Sequence, residues 1–313
     1  MSHEVETMAY AGEVPWHGLG VPVRADLTPQ QMLVEAGLDW TVDKVDLTYQ
    51  FNGETKSSGK QALVRSSDGK ELTTAGKGWN ALQNQDAFAF FDDFVRAGDM
   101  EMHTAGSLKG GQIVWALAKI KEAFSLFGND EVQQFLLFTN PHRFGSAIDV
   151  RNVMTRVVCW NTMSFAMTEQ TDKMVRVHHN MKFDSDLVKE TLGVAREKLD
   201  TYKEVAQFLG SKQFTDETLA NYFKDVFPST AKDDDGKEKT SRNAEAAQKV
   251  LIKQPGTEFA PGSWWQAFNA TTYMTDHLLG HNNDTRLQSA WYGKNAGVKV
   301  KAMEKALEYA NAA

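Results

Sequence analysis

One cysteine, Cys159, stands in 313 residues. No intrachain disulfide can form, a zinc site built from several cysteines is excluded, and the chain fits a reducing cytoplasm. Apolar runs of the roughly 18 residues that a membrane span needs are missing. The opening MSHEVETMAY lacks a charged-then-apolar layout, so a cytoplasmic, soluble protein is expected. Among 8 histidines there is no HExxH or His-x-His pattern. His178 and His179, adjacent on a strand, would point to opposite faces. No metal is expected. A phosphate-binding P-loop is missing too: Gly106–Gly111 has the glycines and Lys109, but neither the spacing nor the following helix. No internal repeat is visible.

What is present reads as an ordinary globular chain. Apolar residues make up 42% and charged residues 24%, which is too apolar for a disordered protein. The length serves one large domain or two smaller ones. The net charge of −7 is unevenly spread: residues 1–100 hold 8 Lys/Arg against 15 Asp/Glu, 101–182 hold 9 against 7, and 183–313 hold 17 against 19. Only the middle is net basic. That argues against a histone-like polyanion coat and leaves room for a local basic groove.

Along the chain, PWHGLG (Pro15–Gly20) is a tight turn presenting Trp16 and His17. Thr28 before Pro29 predicts a short helix stopped at Gly37. Residues 40–51 alternate and predict a bulged strand burying Trp40, Val42, Val45, Leu47 and Tyr49. Residues 52–59 read as a turn, 60–65 as a strand and Ser66–Gly69 as a hairpin turn. Asn84 is predicted to cap a helix carrying Ala87, Phe90, Phe91, Phe94 and Val95 on one stripe, stopped by Gly98. The period then changes to two, and residues 100–104, 112–120 and 132–139 predict successive antiparallel strands.

The stretch Val153–Thr168 is dense in apolar residues yet holds Arg156, Cys159, Trp160 and an Asn161–Thr162 pair. The spacing of Met154, Val157, Val158, Asn161 and Phe165 favours a buried helix, with a strand ending at Cys159 as the alternative. Residues 174–179 predict another strand. Val188, Leu192, Ala195, Leu199, Tyr202, Ala206 and Leu209 form a heptad seam that predicts a long helix from Asp184 or Ser185 to Gly210. Thr215 and Ser263 predict two further helix starts, and residues 244–252 and 298–310 further helices. Residues 228–242 are aperiodic with mixed charges and read as a flexible loop. The fold class expected is α+β: a mixed, largely antiparallel sheet with flanking helices in residues 1–183, and a helical C-terminal region, 184–313, packed on that core.

Chemistry is sparse. Cys159 sits in an apolar run, which favours a core cysteine over an exposed nucleophilic thiolate. No catalytic residue and no cofactor is expected, and a binder is favoured over an enzyme. The remaining signal is distributed: Lys77 with Trp79, then Lys109, Lys119, Lys121, Arg143, Arg151, Arg156, Arg176 and Lys182, with Trp115, Phe144 and Trp160 among them. Cations that track phosphates beside rings that stack bases are what single-stranded nucleic-acid binding requires. The alternative is ordinary solvated charges and core aromatics. The candidate nucleic-acid-binding set is Lys77, Trp79, Lys109, Arg143, Arg151, Arg156, Arg176 and Lys182. Arg156, inside an apolar stretch, needs an anionic partner or a ligand.

PWHGLG, GKGWNALQN (Gly76–Asn84), TAGSLKGG (Thr104–Gly111), TRVVCWNTM (Thr155–Met163), VRVHHN (Val175–Asn180) and SWWQAFNATTYMTDH (Ser263–His277) together resemble the phage/plasmid-like protein family of unknown function, domain of unknown function family 932. The resemblance covers nearly the whole chain and carries no established catalytic residues. It implies a mobile-element setting inside a bacterial host. The order of helix, antiparallel strands and helix is similar to the core of phage single-strand annealing proteins, an analogy of fold alone. The expectation is an accessory protein that binds single-stranded DNA in annealing, recombination or replication, as a homo-oligomer. The other reading is a host-interaction or anti-defence protein that binds a bacterial protein or nucleotide and has no DNA affinity.

Overall fold

The computed structural model describes residues 5–12, 14, 18–121, 123–156, 161–164, 175–188, 195–229, 231, 239–280 and 283–312. Its strands are β1 (Val5–Ala11), β2 (Val21–Val23), β3 (Val42–Phe51), β4 (Glu54–Arg65), β5 (Glu71–Gly76), β6 (Met100–Leu108), β7 (Ile113–Ile120), β8 (Phe124–Leu126), β9 (Asp130–Pro141), β10 (Ala147–Arg156), β11 (Asn161–Ser164) and β12 (Val175–His178). Its helices are α1 (Pro29–Glu35), α2 (Asn84–Ala89), α3 (Asp92–Ala97), α4 (Ala195–Ser211), α5 (Asp216–Val226), α6 (Arg242–Leu251), α7 (Trp264–Tyr273), α8 (Asn283–Tyr292) and α9 (Lys294–Ala312). A π-helical segment, Met274–Leu278, follows α7. The class is α+β, with a mixed, largely antiparallel sheet and a helical C-terminal part. No helix among the described residues is long and apolar enough to cross a membrane.

Two units divide the chain: Met1–Lys121, Phe135–Asn152 and Met174–Gly193 form the first, and Glu122–Gln134, Val153–Lys173 and Val194–Ala313 the second. Two stretches from the first 183 residues thus group with the helices, where the sequence drew a single boundary.

In the first unit the larger sheet runs β12-β10-β9-β7-β6-β1-β2. β1 and β2 are parallel, while β12–β10, β9–β7, β7–β6 and β6–β1 are antiparallel. β7 is buried over most of its length because both of its faces are covered, so its apolar text barely alternates. Phe88, Phe90 and Phe91 of the α2–α3 region pack in one core with Met102, Leu136 and Phe138. Burying each such ring contributes about 1.5–3 kcal/mol. α1 starts where Thr28 accepts from the Gln31 amide and the Gln31 side chain accepts from the Thr28 amide, a reciprocal cap that satisfies two otherwise unpaired donors.

Several expectations change here. The predicted single helix from Asn84 is two short ones. Asn84 is no cap: it is buried, and its Nδ2 donates to Leu38 O at 3.1 Å and Trp40 O at 3.4 Å. The β3–β4 turn is two residues rather than eight. Asn52 and Gly53 both take positive φ, 52° and 81°, which an Asn-Gly pair adopts readily in a hairpin. The β3–β4 register does shift between Asp46 and Thr48, but the extra residues are on β4, where Gln61 pairs Asp46 and Ser57 pairs Thr48. Of the predicted buried face of β3, Trp40 and Val42 are buried, Leu47 is half-buried, and Val45 and Tyr49 stand exposed, as does Phe51 beyond them. Alternation shows which side chains share a face, not whether anything covers it.

Within 153–168 the described residues, 153–156 of β10 and 161–164 of β11, are strand, paired Val153↔Ser164 to Arg156↔Asn161, and the rest lies outside the described residues. The favoured helix gives way because Val153, Met154 and Thr155 are all buried; a strand covered on both faces shows no period of two. Cys159 and Trp160, like Trp16, His17, Leu192 and most of the predicted 228–242 loop, lie outside the described residues.

In the second unit, the seam of α4 buries Tyr202, Ala206 and Leu209. Thr215 caps α5 and Ser263 caps α7, as their sequence positions predict. Tyr222, Phe223, Trp264, Trp265 and Phe268 form the centre of a separate apolar core. Trp264 stacks on Tyr309 at 5.3 Å between ring centroids. The π-helical segment, unforeseen from the sequence, carries buried Thr275 and Asp276. Lys299 on α9 reaches Asp276 Oδ1 at 2.8 Å with both side chains buried, and Asn295 Nδ2 donates to Thr275 O at 2.7 Å.

Candidate nucleic-acid interface

Strand register in the first unit brings four connections to one end of the larger sheet. Leu108 pairs with Ile113, Ile113 with Pro141, and Ala147 with His178. The β6–β7 turn, the 142–146 loop and the segment after β12 therefore lie side by side. The 77–83 connection joins them through Asn80 N, which donates to His179 O at 2.6 Å. β5 of the smaller sheet closes the group: Gln112 Nε2 donates to Leu72 O at 2.6 Å, and Phe144 N to Thr73 Oγ1 at 3.4 Å.

The β6–β7 turn has three consecutive positive φ values, 54° at Lys109, 65° at Gly110 and 86° at Gly111. Glycine is needed at 111 twice over, because a Cβ there would sit 2.8 Å from Arg65 Nη1 and 3.4 Å from the Trp40 ring. Arg65 is a buried anchor beneath this turn. Its guanidinium meets Glu6 at 2.8 and 3.0 Å and Asp68 at 2.9 and 2.6 Å, with the Trp40 ring 5.5 Å away. The Arg65 hydrogen bond draws the Asp68 carboxyl down to about 2. Two carboxylates on one arginine fix the ends of β1 and β4 in place.

Four of the candidate residues meet at this end. Lys77, Arg143 and Lys182 are exposed and Lys109 is half-exposed. None of the four has an ion-pair partner among the described residues. Phe144 stands beside Arg143 with 66% of its surface exposed. An unpaired cluster of cations around an open ring is the arrangement that phosphates and a base can share.

Trp79 differs from its expectation. It is only 8% exposed and stacks on His179 at 4.0 Å, so the ring is occupied inside the unit and does not offer a platform. Its role is to hold the loop. His179 Nδ1 lies 2.9 Å from Asn80 O, and Asn140 Nδ2 donates to Leu82 O at 2.9 Å. Behind them His142 is fully buried, its Nε2 2.8 Å from Asn84 Oδ1. Burial holds the His142 imidazole down to about 3, with nearby His179 adding to the effect. His179 is also lowered by burial, against the carbonyls of Asn80 and Pro141, which favour its charged form. His142 Nδ1 and Asn140 Oδ1 have no hydrogen-bond partner among the described residues.

The other candidates lie elsewhere. Arg151 Nε is 2.9 Å from Asp149 Oδ1, and the two side chains are 12% and 11% exposed. That arginine's charge is matched by a buried carboxylate rather than offered to a ligand. Arg176, 63% exposed, faces the same Asp149 at 4.0 Å across the β10–β12 pairing. Burial raises the Asp149 carboxyl and the two arginines oppose the rise. Arg156 pairs Asn161 at the other end of β10, in the second unit, and its side chain lies outside the described part. Trp115 is a core residue with no exposed surface. His178 is exposed and His179 buried, the opposite pointing expected of neighbours on a strand. Among the described residues no group of three or more His, Cys, Asp or Glu could hold a metal.

Sequence reasoning missed the Arg65 anchor and the His142–Asn84–Asn140 set beneath the rim. Arg65 had a signal, an arginine ending the apolar run Ala62-Leu63-Val64 with Asp68 three residues on. Asn84 and His142, 58 residues apart, had none.

A family model described as a domain of unknown function (DUF932) matches residues 71–291. The matched part takes in β5 through α8, including the loops of this sheet end. No curated protein and no solved structure matches the chain.

Proposed function

Because the chain belongs to the DUF932 family of unknown function, we propose its function from the geometry of its own residues: it binds single-stranded DNA at the loop end of the larger sheet. One observation carries the reading. Lys77, Lys109, Arg143 and Lys182 lie on the loops of one sheet end, without ion-pair partners among the described residues, together with exposed Phe144. Lysine and arginine follow the phosphates, and Phe144 stacks a base of any identity. The net charge of −7 keeps the rest of the surface from coating a polyanion, which confines contact to the rim. Annealing or recombination in a phage or another mobile element is the process such binding would serve, with several copies along one strand.

Fluorescence anisotropy of a labelled, mixed-sequence single strand tests this at low and moderate salt. The expected result is micromolar or tighter binding that falls steeply with salt and weakens in Lys109→Ala and Arg143→Ala. Absence of binding at low salt rejects the proposal.

A second reading, a module for a protein partner, rests on a different observation. Val45, Tyr49 and Phe51 are exposed at alternate positions along β3, an apolar row on a ribbon. Its signature would be a bacterial protein captured by the wild type and lost by Tyr49→Ser with Phe51→Ser, with no DNA binding in either.

A further inference from the structure

Beside the cationic rim, within the first unit, lies a cavity of about 640 Å³ between the Asn80–Leu82 loop, α2 and the segment Met181–Ser185. We propose that it receives one unstacked base of the bound strand, favouring a base that carries an amino group; this rests on the single-strand reading above.

The floor and one wall are apolar, formed by Phe90, Ile148 and Phe183. The Phe183 ring is held in place by Phe90 at 6.2 Å and Phe138 at 5.5 Å. A fixed ring stacks a base without first losing rotamer freedom. Asp86 lines the same cavity and is exposed. A carboxylate accepts from the amino group of adenine, cytosine or guanine, and thymine has no such group. Lys182 lines it too, exposed and without an ion-pair partner among the described residues. Its ammonium can hold the phosphate of the same nucleotide at the mouth, continuous with the cations of the rim.

The opposite wall is prepared from behind. Asn80 exchanges two hydrogen bonds with His179, Nδ1 to O at 2.9 Å and N to O at 2.6 Å. Leu82 O accepts from Asn140 Nδ2 at 2.9 Å. The buried His179–Asn140 pair thus fixes the backbone that shapes the cavity. A site on a backbone pinned this way meets its ligand already formed. The mixture of apolar floor, one carboxylate acceptor and one cation at the lip suits a nucleotide, with base inside and phosphate outside. It suits neither a lipid chain nor a bare anion.

The test has two arms on the full chain. In the first, a labelled twelve-residue thymidine strand is compared with strands whose central residue is replaced by deoxyadenosine or by an abasic site, at one salt concentration. The deoxyadenosine strand should bind about tenfold more tightly than the abasic one, within the range for a stacked base, with thymidine between. Asp86→Ala, which leaves no acceptor, should remove the preference for deoxyadenosine over thymidine. Ala89→Trp, at an exposed position lining the cavity, should fill it and abolish the central-residue effect while the salt dependence of strand binding stays. In the second arm, deoxyadenosine monophosphate is added alone and its binding read by saturation-transfer NMR; binding is expected in the wild type and lost in Ala89→Trp. Equal affinity for all three strands overturns the base cavity and leaves the rim reading standing. Binding of the mononucleotide with none of any strand overturns the rim reading instead. Binding of neither overturns both.

Discussion

Both units enclose matched charges, and the first also gathers cations that have no ion-pair partner among the described residues. In the second unit Asp276 and Lys299 are buried against each other at 2.8 Å, and the pair is anchored on a π-helical segment whose carbonyl at Thr275 also accepts from Asn295. In the first unit Lys77, Lys109, Arg143 and Lys182 gather on loops without ion partners among the described residues. Below them lie buried imidazoles and amides, and beneath the β6–β7 turn the Arg65 guanidinium held between Glu6 and Asp68. A charge enclosed with its opposite serves the fold of its unit, because its interactions are complete. A group of like charges held together by other residues costs repulsion and is retained where a ligand supplies the missing sign. The contrast separates a structural polar core from a candidate site more cleanly than any residue type does.

The largest expected effect breaks the structural side of the contrast. Lys299→Ala leaves a buried carboxylate without its cation and should lower unfolding free energy by about 3–5 kcal/mol, measured by urea denaturation. Asp276→Leu combined with Lys299→Met should recover most of that loss. A double variant as weak as the single one would mean the pair is not the source of the stability.

Acid should act on the first unit. His142 is held at about 3 and His103, chiefly by burial, at about 4, against about 6.5 in an unfolded chain. The unfolded chain takes up protons first as pH falls, so the stabilisation from neutral imidazoles is complete above 6.5 and drains away below it. The loss between pH 7 and 5 is roughly 2 kcal/mol for each such imidazole. Hydrogen exchange at the two pH values should show β6, β7 and β9 of the first unit opening more readily at pH 5. His142→Gln should reduce the difference.

Phe144→Ala comes next. Losing an open stacking ring should weaken strand binding by about 1–3 kcal/mol without lowering thermal stability, since the ring is exposed. The smallest effects belong to single rim cations. Lys109→Ala or Arg143→Ala should each reduce the slope of log affinity against log salt by about 0.7 and shift folding stability by no more than about 0.5 kcal/mol.

How far these features could be read in the sequence depended on their range. Helix caps at Thr28, Thr215 and Ser263 rest on neighbours three residues away, and each is where its residue type predicts it. The antiparallel strands from Met100 to Pro141 were legible as apolar runs set between glycine-bearing turns, although β7 and β9 barely alternate in burial. The strand at 153–156 was not, because Val153, Met154 and Thr155 are buried in succession and give no period of two. The exposed row on β3 was mistaken for a core face, because an edge strand of the small β3-β4-β5 sheet keeps the alternation without a cover. At the candidate site, Lys77, Lys109, Arg143 and Lys182 were legible as cations, and their shared sheet end was not, since it depends on the register of three strand pairs. Arg151 was misjudged although its partner is local: Asp149, two residues away, shares its face and matches its charge.

The most direct test places a photoreactive residue at position 144 of the first unit or at 252 of the second, where Ile252 is 72% exposed, and irradiates each with a mixed-sequence single strand. The account predicts crosslinking at 144 that fades with salt and little at 252. Equal crosslinking at the two positions, or crosslinking at 252 alone, would contradict it.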